Sequence, residues 1–166
     1  LPKTKILFQL QEDKMRAVVQ RVKDAWITVN GGEKQYMEQG LVVLFGVNDT
    51  DDEKDTAVLA RKISELRIFH DEEGKMNISA LDNNYSCMVV SQFTLFADTK
   101  KGRRPSFIKA ARPEKAIPIY EKFLSEIQAA GFKKVIHGEF GADMQINLTN
   151  DGPVTIILDT DEWKAQ

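Results

Sequence analysis

A short stretch near the C-terminus, NDGPVT at 150–155, constrains the fold of this chain more than any other. It lies between two apolar runs, 144–148 and 154–158, that have the composition of strands. Because Asp-Gly between two such runs is a strong hairpin signal, we expect two strands joined by a turn. The proline after the glycine removes an N–H group from the start of the second strand. Pro153 therefore either ends the pairing at the turn or belongs to a functional Gly-Pro unit.

Apolar periodicity elsewhere predicts an α+β domain with several strands and two main helices. GLVVLFGVN has the continuous apolar character of a buried strand. The other predicted strands are 18–22 and 26–29, placed on either side of Lys23-Asp24, then 85–96 and 133–137. One predicted helix has Leu59, Ile63 and Leu66 on its apolar face. The other runs from Pro113 to Gly131, with a kink or delayed start at Pro118 and an apolar face of Ala116, Ile119, Tyr120, Phe123, Leu124 and Ile127.

Length and composition favour one globular domain. The chain has 166 residues, of which 42% are hydrophobic and 29% charged. No apolar run is long enough to cross a membrane. Residues 1–14 lack a secretory cleavage pattern. We interpret them as an upstream extension or an expression remnant, expected to be disordered, before a single domain at 15–166 that opens with MRAVVQRV.

The chain contains one cysteine, Cys87, and two histidines, His70 and His137. A disulfide within the chain is therefore impossible, which favours a reducing, cytoplasmic location. Cys87 lies in the apolar run YSCMVV, where a buried structural role is favoured over a catalytic one. No HExxH or CxxC spacing occurs, so no metal site and no cofactor are expected.

The segment SQFTL, at 91–95, places three hydrogen-bonding side chains in a strand-like run. Strand alternation would put Ser91, Phe93 and Leu95 on one face, and Gln92 and Thr94 on the other. One interpretation is a strand with a solvated polar face. The other is a strand end that lines a pocket and directs hydroxyl and backbone N–H groups at a ligand.

A Ser-His-Asp hydrolase is disfavoured. The candidate nucleophiles are Ser91, Thr94 and Ser106, and the only histidine bases are His70 and His137. Neither histidine lies in a nucleophile-elbow context, because GxSxG is absent. Hydrolysis by this chain would depend on substrate positioning and oxyanion-type donors rather than on a triad.

A basic segment contrasts with the overall net charge of −2. Residues 100–115 contain seven basic residues and one acid. Such a run is either a solvated loop or a phosphate-binding patch. Arg103 and Arg104 offer forked donors suited to phosphates. Phe107 either stacks on a nucleic acid base or packs within the protein.

These segments together make the chain resemble the D-aminoacyl-tRNA deacylases, across essentially all of 15–166. The resemblance is carried by MRAVVQRV, GLVVLFGV, RIFHDEEGKMN, SQFTLFAD, GRRPSF and FGADMQINLTNDGPVT. SQFTL and NDGPVT at this separation, with ADMQ between them, are the most specific. The resemblance implies a strongly curved, mixed or antiparallel, barrel-like sheet with two main helices, in a homodimer.

The resemblance also implies a mechanism. Ser91, Gln92, Phe93 and Thr94 would surround the ester of an aminoacyl-tRNA, with backbone N–H groups near Phe93 and Thr94 as oxyanion donors. Thr94 is either the nucleophile or, as we favour without a neighbouring base, a positioning group. The 2′-OH of the terminal adenosine could activate water. Glycyl esters would also be substrates.

The Gly152–Pro153 peptide is, by the same resemblance, cis and reaches into the partner subunit's active site as a chirality filter. The tRNA-binding residues would be Lys100, Lys101, Arg103 and Arg104. We thus expect a cytoplasmic esterase that removes D-amino acids from tRNA. The alternatives are a noncatalytic tRNA-binding module using residues 100–112, and a partner-binding domain whose Gly-Pro hairpin is only a dimer clasp.

Overall fold

A long first strand organises the fold, as seen in a computed structural model that describes residues 15–163. The strands are β1 (Arg16–Val29), β2 (Gln35–Met37), β3 (Gly40–Gly46), β4 (Phe69–His70), β5 (Met76–Ile78), β6 (Ser86–Ser91), β7 (Val135–His137) and β8 (Met144–Asp159). The helices are α1 (Thr56–Ser64) and α2 (Pro113–Ala129), with short 3₁₀ helices at Glu53–Asp55, Phe93–Phe96 and Thr160–Trp163. The predicted upstream segment, 1–14, lies outside the described residues.

The main sheet is mixed. β1 pairs antiparallel with β2, β3 and β8, whereas β6 runs parallel to both β3 and β7. The result is a nearly closed, barrel-like sheet combined with two main helices. The predicted α+β class and mixed sheet are confirmed. β4 and β5 form a separate two-stranded sheet.

β1 is one strand, so the prediction of two strands around Lys23-Asp24 is wrong. Lys23 and Asp24 are exposed, and the pairing with β3 continues in regular register as far as Val22. Pairing with β8 resumes at Asp24 after two register shifts. The polar pair therefore occupies an irregular, solvent-facing part of a continuous strand and does not end it.

β8 is also one strand, so the predicted hairpin at NDGPVT is wrong. The two apolar runs do not pair with each other. Residues 144–150 pair with 29–22 of β1, and residues 155–159 pair with 20–16 of the same strand. Since β1 is long enough to pair with both runs, residues 151–154 leave the ladder as a bulge. We call these four residues the Gly-Pro bulge.

The helices cover one face of the sheet as their periodicity predicts. All six predicted apolar residues of α2 are buried, and the rings of Phe45 and Phe123 stack with centroids 4.3 Å apart. Leu59 and Ile63 of α1 are fully buried, whereas Leu66 lies beyond the end of that helix. α2 begins at Pro113, so Pro118 does not delay its start. Within residues 15–163, no helix is long and apolar enough to span a membrane.

Candidate active site

The cleft that carries the SQFT residues has a volume of about 630 Å³. It lies between the end of β6, the loop that leads into α2, and the segment joining β7 to β8. Its lining includes Ser91, Gln92 and Phe93, together with Phe107, Arg112 and Phe140. The structure therefore supports the interpretation of SQFTL as a strand end at a pocket, rather than a strand with a solvated face.

β6 ends at Ser91, so the predicted strand through Phe96 is wrong. The Gln92 N–H donates to the Phe45 carbonyl at 2.7 Å, and the chain then turns into the 3₁₀ helix. This turn crosses the end of β3 at Gly46. A Cβ on Gly46 would lie 2.9 Å from the Gln92 carbonyl oxygen and 3.0 Å from the Phe96 ring. The predicted alternation of faces does not apply beyond Ser91, and Phe93 remains 51% exposed.

Two backbone donors are available at the start of the 3₁₀ helix. Its first hydrogen bond runs from the Leu95 N–H to the Gln92 carbonyl. Among the described residues, none accepts a hydrogen bond from the Phe93 or Thr94 N–H group. Neighbouring N–H groups at a helix start form a site for negative charge.

Arg16 anchors the other end of this 3₁₀ helix. Its Nη1 donates to the Leu95 carbonyl at 2.9 Å, and its guanidinium lies 5.0 Å from the centre of the Phe96 ring. The same guanidinium pairs with Asp159 at 3.1 Å. The two free N–H groups are therefore held in place by the sheet.

The structure does not assemble a catalytic triad. The Thr94 hydroxyl is exposed and accepts a hydrogen bond from Gln92 Nε2. Within residues 15–163, no hydrogen bond joins His70 or His137 to Thr94 or to either candidate serine. His137 Nδ1 instead lies 2.7 Å from the Gly138 carbonyl oxygen.

Cys87 is fully buried in β6, as predicted. Burial raises the pKa of its thiol, so the reactive thiolate is suppressed. Across the described part of the chain, no group of three His, Cys, Asp or Glu side chains could hold a metal ion.

The first part of the basic segment, 100–105, forms an exposed loop closed by Asp98 and Ser106, which exchange backbone hydrogen bonds of 2.8 and 2.9 Å. Its four predicted tRNA-binding side chains are exposed and, in the described part of the chain, form no ion pair: Lys100, Lys101, Arg103 and Arg104. The Lys100 N–H donates to Asp98, which is the main reason that the pKa of this carboxyl is lowered. Phe107 packs edge-on against Phe93 with centroids 5.2 Å apart. The loop therefore returns to the cleft mouth.

The Gly-Pro bulge exposes Gly152 and Pro153 at the surface, and the peptide bond between them is cis, as the resemblance implies. Arg21 holds the bulge from within the protein. It is only 4% exposed, its Nε donates to the Asp151 carbonyl at 2.9 Å and its Nη1 to the Ile68 carbonyl at 2.7 Å. Neither Gly152 nor Pro153 lines the cleft of its own chain. One chain thus does not bring the two predicted parts of the site together.

Sequence reasoning missed several residues of this arrangement. Arg112 lies exposed at the cleft, one residue before α2, and Phe140 and Met144 line the opposite side. Phe140 and Met144 could have been identified from the sequence, because they belong to FGADM, which lies between two predicted strands. Arg21 had a signal too, since it is a charged residue within the strand-like run MRAVVQRV.

The sequence model described as D-Tyr-tRNA(Tyr) deacylase matches residues 18–159. The chain belongs to this family. The D-aminoacyl-tRNA deacylase of Porphyromonas gingivalis is 53% identical over 146 residues, which cover 88% of this chain and 97% of that protein. The protein of the same name from Thermus aquaticus is 51% identical over 148 residues, covering 89% and 97%. The predicted family is confirmed.

Two solved structures have the same fold as this chain. The c-Myc DNA Unwinding Element Binding Protein superposes with a TM-score of 0.79 at 42% identity, covering 86% of this chain and 97% of that one. A structure described as a probable eukaryotic D-amino acid tRNA deacylase also gives 0.79, covering 88% and 99%. At 16% identity, the second comparison shows the fold alone.

Proposed function

We infer that this protein hydrolyses the ester bond of D-aminoacyl-tRNA and releases the free D-amino acid and tRNA. The observation that carries this conclusion is family membership over residues 18–159. Relatives named D-aminoacyl-tRNA deacylase are more than 50% identical to this chain. The cleft supports it, because the family-specific SQFT residues line or border this cleft beside two free backbone N–H groups.

Catalysis is assigned to charge stabilisation and positioning. Water attacks the ester carbonyl carbon, and the developing oxyanion lies against the Phe93 and Thr94 N–H groups. The bond to the ribose 3′ oxygen then breaks, and that oxygen receives the proton that water loses. The adenosine 2′-OH beside it can relay this proton, since no histidine hydrogen-bonds to the SQFT residues in the described structure.

Chirality is assigned to the Gly-Pro bulge acting across a homodimer. The bulge is exposed, lies outside the cleft of its own chain and belongs to a strand that pairs only with β1 among the described strands. Its glycine lets a backbone approach a ligand closely. The partner's bulge would contact the substrate amino group and crowd the space of an L side chain. A filter of this type admits glycyl esters, because glycine has no side chain to exclude.

The basic loop supplies the contact to tRNA. Lys100, Lys101, Arg103 and Arg104 are exposed and form no side-chain ion pair among residues 15–163, and Phe107 packs against Phe93 at the cleft. Phosphate contacts of this kind dominate nucleic acid affinity. The loop is also the feature that favours a second candidate, a noncatalytic tRNA-binding module.

Deacylation of matched D- and L-tyrosyl-tRNA distinguishes these possibilities. We expect release of D-tyrosine and much slower release of L-tyrosine. Binding of tRNA without turnover would support the noncatalytic module. A dimer that neither binds tRNA nor hydrolyses it would support the partner-binding domain.

Replacing Thr94 tests the positioning role. We expect Thr94→Ala to retain measurable turnover, because its hydroxyl contacts only Gln92 among the described residues and has no base to activate it. The measurement is single-turnover deacylation of D-tyrosyl-tRNA, with tRNA affinity determined in parallel. A loss of roughly 10⁴-fold or more in kcat, with affinity and fold unchanged, would instead identify Thr94 as the nucleophile.

Replacing the basic side chains tests the tRNA contact. We expect the variant with alanine at Lys100, Lys101, Arg103 and Arg104 to bind tRNA more weakly and with a shallower salt dependence. Each lost phosphate contact should reduce the slope of log K against log salt by roughly 0.7–0.9. Alanine at Lys54 and Lys75, two exposed lysines that do not line the cleft, is the control. An unchanged slope in the quadruple variant would make this segment a solvated loop.

A further inference from the structure

Two adjacent residues of β1 hold the Gly-Pro bulge from opposite faces of the sheet. Gln20 pairs opposite Thr155, the first residue after the bulge, and Arg21 lies where β8 leaves its regular register with β1. Side chains alternate along a strand, so the two point to opposite faces. Arg21 holds Asp151 from the buried side. Gln20 is half-buried, and its side chain lies on the opposite face of the sheet.

The Gln20 side-chain amide joins the two ends of the bulge. Its Nε2 donates to Asn150 Oδ1, and its Oε1 accepts from the Thr155 hydroxyl at 2.7 Å. Asn150 is the last residue of β8 paired with β1 before the bulge, and Thr155 is the first one paired after it. The Gln20 side chain therefore links Asn150 and Thr155, the two paired residues on either side of the bulge.

Asn150 transmits this contact to Gly152. The position that a Cβ on Gly152 would occupy lies 2.5 Å from Asn150 Nδ2. Because Gln20 binds Oδ1 of the Asn150 side-chain amide, the Nδ2 atom of that amide is directed toward the Gly152 backbone. Gln20 thus acts on the Gly-Pro unit through Asn150 on one side and through Thr155 on the other.

We propose that Gln20, through Asn150 and Thr155, is a positioning residue for the chirality filter. The proposal rests on the proposed function of the Gly-Pro bulge. It assigns chiral discrimination to a polar clamp on β1 that lies outside both family-specific motifs. Because the clamp spans the bulge only, its loss should change the D-to-L ratio more than it changes the stability of the sheet.

The chain contains a matched control on the same two strands. Thr149 Oγ1 donates to Asp24 Oδ1 at 3.0 Å, again between an exposed β8 threonine and a β1 side chain. Thr149 pairs opposite Asp24, before the bulge begins. Thr149→Val and Thr155→Val therefore each remove one cross-strand hydrogen bond donated by a threonine hydroxyl, to a carboxylate in the first case and to the Gln20 amide in the second. Only the second substitution removes a contact to the clamp.

The experiment measures kcat/KM for D- and L-tyrosyl-tRNA in Gln20→Leu, Thr155→Val, Thr155→Ser and Thr149→Val, with the thermal midpoint of each dimer. We expect Gln20→Leu to lower the D-to-L ratio about tenfold, which is about 1.4 kcal/mol. Thr155→Val should lower the ratio by a smaller factor, and Thr155→Ser should restore it by replacing the hydroxyl. Thr149→Val should leave the ratio unchanged.

Parent-like ratios in both Gln20→Leu and Thr155→Val would overturn the proposal. If Gln20→Leu does not fold, Thr155→Val decides alone. An equal fall in the ratio for Thr149→Val would also overturn it, because the effect would then belong to the strand pair in general. A parent enzyme without D-to-L discrimination, or with a ratio that Gly152→Ala does not change, would instead contradict the proposed function of the bulge.

Discussion

Gly152→Ala is expected to lower the D-to-L ratio of kcat/KM by roughly 10- to 100-fold, since one methyl-sized group in a specificity pocket has an effect of this order. The added Cβ would lie 2.5 Å from Asn150 Nδ2 and 3.4 Å from Asn150 Cγ. The methyl group must therefore displace Asn150 or shift the bulge, and it also occupies space at the exposed surface that is proposed to face the substrate. Parallel hydrolysis of D- and L-tyrosyl-tRNA gives the ratio, with Thr149→Val as the control on the same strand. A folded dimer with the parent's rates and ratio would show that Gly152 only forms part of the strand.

Phe93→Pro is expected to lower kcat on D-tyrosyl-tRNA by about 10²–10³-fold relative to Phe93→Ala, the usual effect of removing one oxyanion donor. Both substitutions remove the Phe93 ring, but only proline removes the N–H group. The backbone can accept proline here, because Phe93 is the first residue of the 3₁₀ helix and Gln92 before it, with φ −145° and ψ 84°, lies outside the α region that a following proline disfavours.

The comparison of these two Phe93 variants isolates the proposed oxyanion donor. Single-turnover rates at saturating enzyme separate the chemical step from tRNA binding. Equal rates for the folded proline and alanine variants would show that the Phe93 N–H group does not contribute to the chemical step. Any contribution of Phe93 would then come from its ring.

The two substitutions together test whether the site is shared between subunits. In a heterodimer of a Gly152→Ala chain and a Phe93→Pro chain, one cleft retains its own N–H donors and faces an unaltered bulge. We expect about half of the parent's D-selective activity per dimer from this one intact site. If the bulge instead served the cleft of its own chain, no site would be intact and no D-selective activity above that of the separate variants would appear.

Much of the fold follows from local sequence pattern. The continuous apolar run at 40–46 is a buried strand, and the periodic apolar face of α2 is buried at all six predicted positions. Such patterns report how a segment divides its side chains between core and solvent, and this division is a local property. The run of charged residues at 100–104 is exposed for the same reason, whereas the end of β6 at Ser91 did not follow from periodicity.

The largest errors concern which segment pairs with which. The runs before and after NDGPVT look like the two arms of a hairpin, because Asp-Gly between strand-like runs normally joins neighbouring strands. In the structure, both runs pair with β1, which extends over 14 residues. The residues between them cannot form a turn when the strand continues in the same direction, so they become a bulge.

Sequence pattern alone reveals the family through SQFTL and NDGPVT, disfavours a Ser-His-Asp triad and locates a basic segment. Where these groups lie relative to one another depends on tertiary contacts. The turn that packs against Gly46 leads into a 3₁₀ helix at 93–96, where the Phe93 and Thr94 N–H groups have no acceptor among the described residues, and Gln20 and Arg21 hold the bulge from both faces of β1. These contacts join residues far apart in the chain. Because they depend on the pairing partner of each strand rather than on local periodicity, no pattern within a segment could reveal them.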